Sequence, residues 1–146
     1  MANKIILLAE DNPDDALLTI HALKESHLCN EIIHVRDGVE ALDYLFGRGQ
    51  YAERNPDELP TVILLDINMP RVSGLEVLRQ IRANPVTKRL PVVMLTTSKE
   101  EQDLVASYDL GANSYVRKPV DFDQFTEAAR NLGMYWLLLN ELAPKD

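Results

Sequence analysis

Cysteine is nearly absent: Cys29 is the only one, so no disulfide can close within the chain and no cysteine-based metal site can form. That usage fits a reducing compartment and points to the cytoplasm. Basic residues are also in deficit, 15 against 23 acidic ones, for a formal charge of 15 − 23 = −8. A chain of that sign repels a phosphate backbone, which argues against direct nucleic-acid binding. No uncharged stretch approaches the roughly 20 residues that a membrane span needs. The apolar run near the start is cut by Glu10-Asp11 and is too short for a signal-peptide core. Internal repeats and low-complexity tracts are missing too. A length of 146 residues leaves room for one domain with a real core, expected over 1–146, and none for a second.

What is present is a set of short apolar runs that end in polar residues. Ile5-Ile6-Leu7-Leu8-Ala9 runs into Glu10-Asp11, Val62-Ile63-Leu64-Leu65 into Asp66, Val92-Val93-Met94-Leu95 into Thr96, and Ser114-Tyr115-Val116 towards Lys118-Pro119. Continuous runs of this length, separated by helical patterns, are the mark of parallel strands covered on both faces. Glu31 to Val35 reads as a further short strand. Helix starts are visible from their caps: Asn12 followed by Pro13 opens a helix to about Leu28. Asp37 with Glu40, Ser73 with Glu76, Ser98 with Glu101 and Asp121 with Gln124 stand at capping-box spacing or its Asp variant. Strand and helix alternate five times, and right-handed crossovers then give an α/β fold, a flavodoxin-like, doubly wound, five-stranded parallel sheet with five helices. The expected strand order is 2-1-3-4-5, with the switch point between the first and third strands.

Two segments stand out from this pattern. Residues 47–60, from Gly47 to Pro60, exceed the usual helix-to-strand connection of about 2–6 residues and read as either mobile or a contact surface. In the helix expected over about 121–142, Leu132, Tyr135, Trp136, Leu139 and Leu142 form one apolar stripe, and Met134, Leu137 and Leu138 add a second. One domain face does not easily hide both.

Ligands of open α/β sheets bind beyond the carboxyl ends of the strands. The topology therefore gathers Glu10, Asp11, Asp66, Thr96 and Lys118 at one sheet edge, with Asp11 and Asp66 facing each other at the switch point. A lone aspartate at a strand exit is ordinary turn chemistry, but five such residues at four exits are not scattered as chance would scatter them. Carboxylates so close repel unless a cation compensates. Mg²⁺ suits them, since it takes about six hard oxygens and keeps several waters; a backbone carbonyl, from Asn68, would complete the protein's share. So shielded, the Asp66 carboxylate can attack phosphorus to give an aspartyl phosphate. Lys118 would hold a phosphoryl oxygen, and Thr96 would donate to another. For Thr96 the alternative is a strand-end hydroxyl capping the next turn, with Thr97 and Ser98 adjacent. On residues alone, Tyr115 is a half-buried packing tyrosine. His21, His27 and His34 show no metal or nucleophile spacing and are given no role.

With these residues in view, the chain resembles the receiver domain of two-component response regulators. The likeness runs from about Lys4 to Leu142 and rests on Glu10-Asp11, Asp66-x-Asn68-Met69-Pro70 followed by Gly74, Thr96-Thr97, and Tyr115-x-x-Lys118-Pro119. The resemblance implies that Asp66 accepts a phosphoryl group from a kinase histidine, that Glu10 and Asp11 hold Mg²⁺, and that Lys118 pairs with the phosphoryl group. It also implies a switch of Thr96 and Tyr115, and a cis bond before Pro119. No output domain is expected, so such a regulator acts through surfaces. The long loop after Phe46 and the aromatic last helix look like the small single-domain regulators paired with bacterial phytochromes and similar histidine kinases. These tend to form homodimers through the last helix and strand. The expectation is a two-fold dimer with Tyr135 and Trp136 at or beside its interface. Kinase choice is expected on the first helix, around Leu17, Leu18 and His21, and on the Val120-Asp121 turn.

Two other classes compete. A phosphohydrolase of the haloacid dehalogenase type also uses an aspartate nucleophile, a Thr/Ser and a lysine beside Mg²⁺, but it needs a second aspartate two residues on, where this chain has Asn68. A phosphorylation-independent binding module would keep the fold without the chemistry. The intact cluster speaks against that.

Overall fold

The computed structural model describes residues 5–26, 31–55, 58–96 and 109–118, with positions 123 and 127. Five parallel strands, β1 (Ile5–Ala9), β2 (Glu31–Val35), β3 (Val62–Asp66), β4 (Val92–Thr96) and β5 (Ser114–Arg117), form one sheet in the order β2-β1-β3-β4-β5. The order is the one expected from the alternation. Central β3 is buried along its whole length, whereas the edge strands β2 and β5 are only partly so. Hence β3 reads as an unbroken apolar run: both of its faces meet side chains.

Successive residues of a strand point to opposite faces, and the core divides accordingly. Ile6, Leu8, Leu64, Val93 and Leu95 pack under helix α1 (Pro13–Ser26) with Ala16, Ala22 and Leu23. Leu7, Ala9, Ile63, Leu65 and Met94 pack on the other face against α2 (Gly38–Phe46) and α3 (Gly74–Ala83) through Leu42, Leu45, Val77, Leu78 and Ile81. Burying each of the larger side chains, the valines, leucines, isoleucines and methionine, contributes about 1.5–3 kcal/mol. Leaving β1 towards β2 on one side and β3 on the other opens the crevice at the switch point.

The three helices start where their caps stand in the sequence. Asn12 Oδ1 accepts from the Asp14 and Asp15 amides at 2.9 and 3.0 Å. Asp37 accepts from the Glu40 amide at 2.9 Å, and Ser73 from the Glu76 amide at 3.3 Å. The end of α1 expected near Leu28, the caps at Ser98 and Asp121, and nearly all of the expected fourth and fifth helices lie outside the described residues. Among the described residues, no helix is long and apolar enough to cross a membrane.

The segment after α2 is a packed turn over its described part. It contains a short 3-10 helix (Gly49–Tyr51), and Arg54 pins it by donating to the carbonyls of Tyr44, Leu45, Asn55 and Glu58. The guanidinium also lies 4.2 Å from the centre of the Tyr44 ring, which meets Tyr51 edge-on. One arginine satisfying four carbonyls replaces the regular backbone pairing that the loop lacks.

Candidate functional site

Each acidic residue of the cluster is delivered by the backbone just where a strand ends. The Glu10 amide donates to the Val35 carbonyl at 3.0 Å, extending the β1–β2 ladder by one residue, and Ile67 does the same to Leu95 at 3.1 Å beyond Asp66. Both carboxylates are thereby fixed to rigid strand ends. Asp11 follows at the exposed rim. Oxygens of Glu10, Asp11 and Asp66 all lie within 4.8 Å of one another. The Asn68 amide donates to Asp66 Oδ1 at 3.3 Å, bringing that residue's backbone against the same carboxylate.

Lys118 closes the group from β5. Its Nζ stands 2.9 and 3.1 Å from the two Glu10 oxygens, 3.2 Å from Asp66 Oδ2 and 3.0 Å from Asp15 Oδ2. The Glu10, Asp66 and Lys118 side chains are 0%, 4% and 7% exposed, and Asp15 is 26% exposed. Three carboxylates face one ammonium, and the exposed Asp11 carboxylate stands beside Glu10 and Asp66, so acids outnumber the cation in a pocket whose inner members are shielded from water. The consequence appears at Asp66. Burial, with the Glu10 carboxylate beside it, pushes its carboxyl up to about 7, although Lys118 pulls the other way. Burial works against the Lys118 ammonium, but its hydrogen bonds to Glu10 and Asp15 and the nearby charges outweigh that and hold its pKa above the ordinary lysine value.

This arrangement fits a divalent metal ion. The donors are hard oxygens, they are already converged, and they carry surplus negative charge that a single ammonium does not cancel.

A glycine makes the close packing at the nucleophile end possible. A Cβ on Gly74 would lie 2.1 Å from the Asp66 carbonyl oxygen and 2.9 Å from the Ile67 Cα, so only glycine lets α3 start this near the β3 exit. On the neighbouring side Arg71, in the left-handed region at φ 69°, donates to Asp37 at 2.8 and 3.1 Å and ties the loop after β3 to the start of α2.

The structure thus brings Glu10, Asp11, Asp66, Asn68 and Lys118 together. Tyr115 lies in β5, partly buried, opposite Met94. The Thr96 backbone ends β4, paired with Arg117; its side chain, like Pro119, Tyr135 and Trp136, lies outside the described residues. Two site residues were missed from sequence. Asp15 sits in the first turn of α1, directly after the strand exit that carries Glu10 and Asp11, and that closeness in sequence was the available signal. His34, left without a role, lies across from Leu8 in the register, and its Nε2 is 2.8 Å from the Glu10 carbonyl. A carbonyl only accepts, so Nε2 carries the proton. No short-range pattern marks that contact.

Comparison with known proteins decides the family: the response regulator receiver domain pattern matches residues 6–130. The chain belongs to the response regulator receiver domain family. Among relatives, this receiver domain is 42% identical over 134 residues to the response regulator Rcp1 of Synechocystis sp., covering 92% of this chain and 89% of that protein. The Mn²⁺-bound structure of Rcp1 superposes with a TM-score of 0.75 at 40% identity, covering 92% of this chain and 94% of that one. The bacteriophytochrome response regulator RtBRR is 52% identical with a TM-score of 0.85, covering 93% and 81%. The phosphorylated cyanobacterial phytochrome response regulator RcpA is 40% identical with a TM-score of 0.76, covering 97% and 98%.

Proposed function

We propose that this receiver domain takes a phosphoryl group onto Asp66 from the phosphohistidine of a histidine kinase, and that the kinase is of the bacterial phytochrome class. The observation that carries the proposal is the convergence of the Glu10, Asp11 and Asp66 oxygens within 4.8 Å under the Lys118 ammonium. Glu10, Asp11, Asp66 and the Asn68 carbonyl would hold Mg²⁺, which supplies charge neutralisation to the pocket when bound. The Mn²⁺-bound form of Rcp1 supports a divalent-ion site, and the phytochrome regulators among the relatives support the class of kinase.

Asp66 acts as the nucleophile. An Asp66 oxygen forms the O–P bond as the P–N bond of the phosphohistidine breaks, and the imidazole leaves with the electron pair and takes a proton from solvent. Lys118 then holds a phosphoryl oxygen as a point charge. Thr96 and Tyr115 form the switch that reads the phosphoryl group. Phosphorylation shifts a pre-existing equilibrium by the contacts it adds. The chain promotes its own phosphorylation and dephosphorylation at Asp66 and has no other catalytic activity. The phosphohydrolase alternative has Asn68 where its acid/base aspartate must stand. A cytoplasmic, single-domain protein acting as a homodimer, without nucleic-acid or membrane contact, completes the proposal.

Leu17 and Leu18, 66% and 51% exposed on α1 next to the pocket, are the surface on which the kinase would dock. Phosphotransfer from a purified bacterial phytochrome kinase tests the proposal. Label should pass to the wild type and not to Asp66→Asn; equal labelling of the two would overturn it.

A further inference from the structure

The Lys118 ammonium has three protons and faces three carboxylates, of which only two belong to the cation cluster. A divalent ion among Glu10, Asp11 and Asp66 draws on two of the carboxylates that hold Lys118, Glu10 at 2.9 and 3.1 Å and Asp66 at 3.2 Å. The ion and the ammonium therefore compete. Asp15 stands outside that competition, 3.0 Å from Nζ and not among the three converged residues. It is also the partner nearest solvent, 26% exposed against 0% and 4% for Glu10 and Asp66. Its position is fixed, because Asn12 Oδ1 caps its amide at 3.0 Å in the first turn of α1.

We propose that Asp15 is a positioning residue: it keeps the Lys118 ammonium at the pocket rim when a divalent cation takes the Glu10 and Asp66 oxygens, and so sets how readily the cation enters. The inference rests on the function proposed above and adds a role for a carboxylate outside the acceptor cluster. Without Asp15, the ammonium has only Glu10 and Asp66 to pair with, and it contests them with the metal more strongly. Asp14, the neighbouring acidic residue in the same helical turn, is exposed and supplies the control for any effect of helix-end charge.

The experiment is Mn²⁺ binding to the intact protein, followed by electron paramagnetic resonance, for the wild type, Asp15→Asn, Asp14→Asn, Asp15→Glu, Lys118→Ala and the Asp15→Asn/Lys118→Ala pair. Asp15→Asn should weaken binding about fivefold, Asp14→Asn by less than about twofold, and Asp15→Glu should recover most of the loss. In the Lys118→Ala background the Asp15→Asn effect should fall below about twofold, since the competitor is gone. A matching split is expected in labelling by a small phosphodonor: Asp15→Asn raises the Mg²⁺ concentration for half-maximal rate and leaves the rate at saturating Mg²⁺ unchanged. Equal effects of Asp15→Asn and Asp14→Asn, or the same loss with and without Lys118, would overturn the role of Asp15 while leaving the metal site standing. No Mn²⁺ binding by the wild type would overturn both.

Discussion

Asp66 is where burial and function oppose each other most sharply. Its carboxyl sits at about 7 rather than the ordinary 3.8, so the folded chain holds this proton more tightly than the unfolded chain does. The resulting contribution to stability is fully present below pH of about 4, fades as pH rises, and is gone above about 7. In chelator, Asp66→Asn should therefore gain on the wild type in urea unfolding as pH rises through that window, by on the order of 1–3 kcal/mol at its upper end. Added Mg²⁺ should narrow the gap, because an ion that binds only the folded wild type stabilises it. A difference between the two proteins that does not change with pH would show that Asp66 does not bear this strain. The role of Lys118 was legible only in part. Its strand-exit position led to an expected phosphoryl contact, whereas the structure makes it the counter-ion of Glu10, Asp15 and Asp66. Which acids an ammonium meets depends on where α1 packs, and no local spacing in β5 encodes that.

At the scale of elements, the start of α3 is as important to the site as the strands. Gly74→Ala would drive a methyl group onto the Asp66 carbonyl and the Ile67 Cα, and both are backbone that cannot swing aside. We expect a loss of about 1–3 kcal/mol in urea unfolding, together with slower labelling of Asp66 as the β3 exit shifts. An unchanged urea midpoint would contradict the close approach. Elements whose signals are local were legible: the caps at Asn12, Asp37 and Ser73, and the apolar run of β3, which is buried end to end. The turn held by Arg54 was not. Its hydrogen bonds reach back nine and ten residues to carbonyls at the end of α2, and a run of glycine, proline and polar residues reads as open loop without that arginine's geometry. His34 escaped for the same reason, since its partner Glu10 is 24 residues away.

For the whole molecule, sheet order and site placement follow from one fact: a doubly wound sheet collects its strand exits at one edge, and here those exits carry the acids. The two apolar stripes expected on the last helix argue for a self-complementary interface around Tyr135 and Trp136. Analytical ultracentrifugation should show dimers, reduced by Trp136→Asp; a monomer at high concentration, phosphorylated or not, would remove that claim. The central claim is that Asp66 is the acceptor in a metal-dependent pocket. Its most direct test is treatment with a small phosphodonor, followed by reductive trapping and mass spectrometry of the peptides. The account predicts one modification per chain, at Asp66, formed with Mg²⁺ and absent in chelator. Modification at another residue, or equal modification without metal, would contradict it.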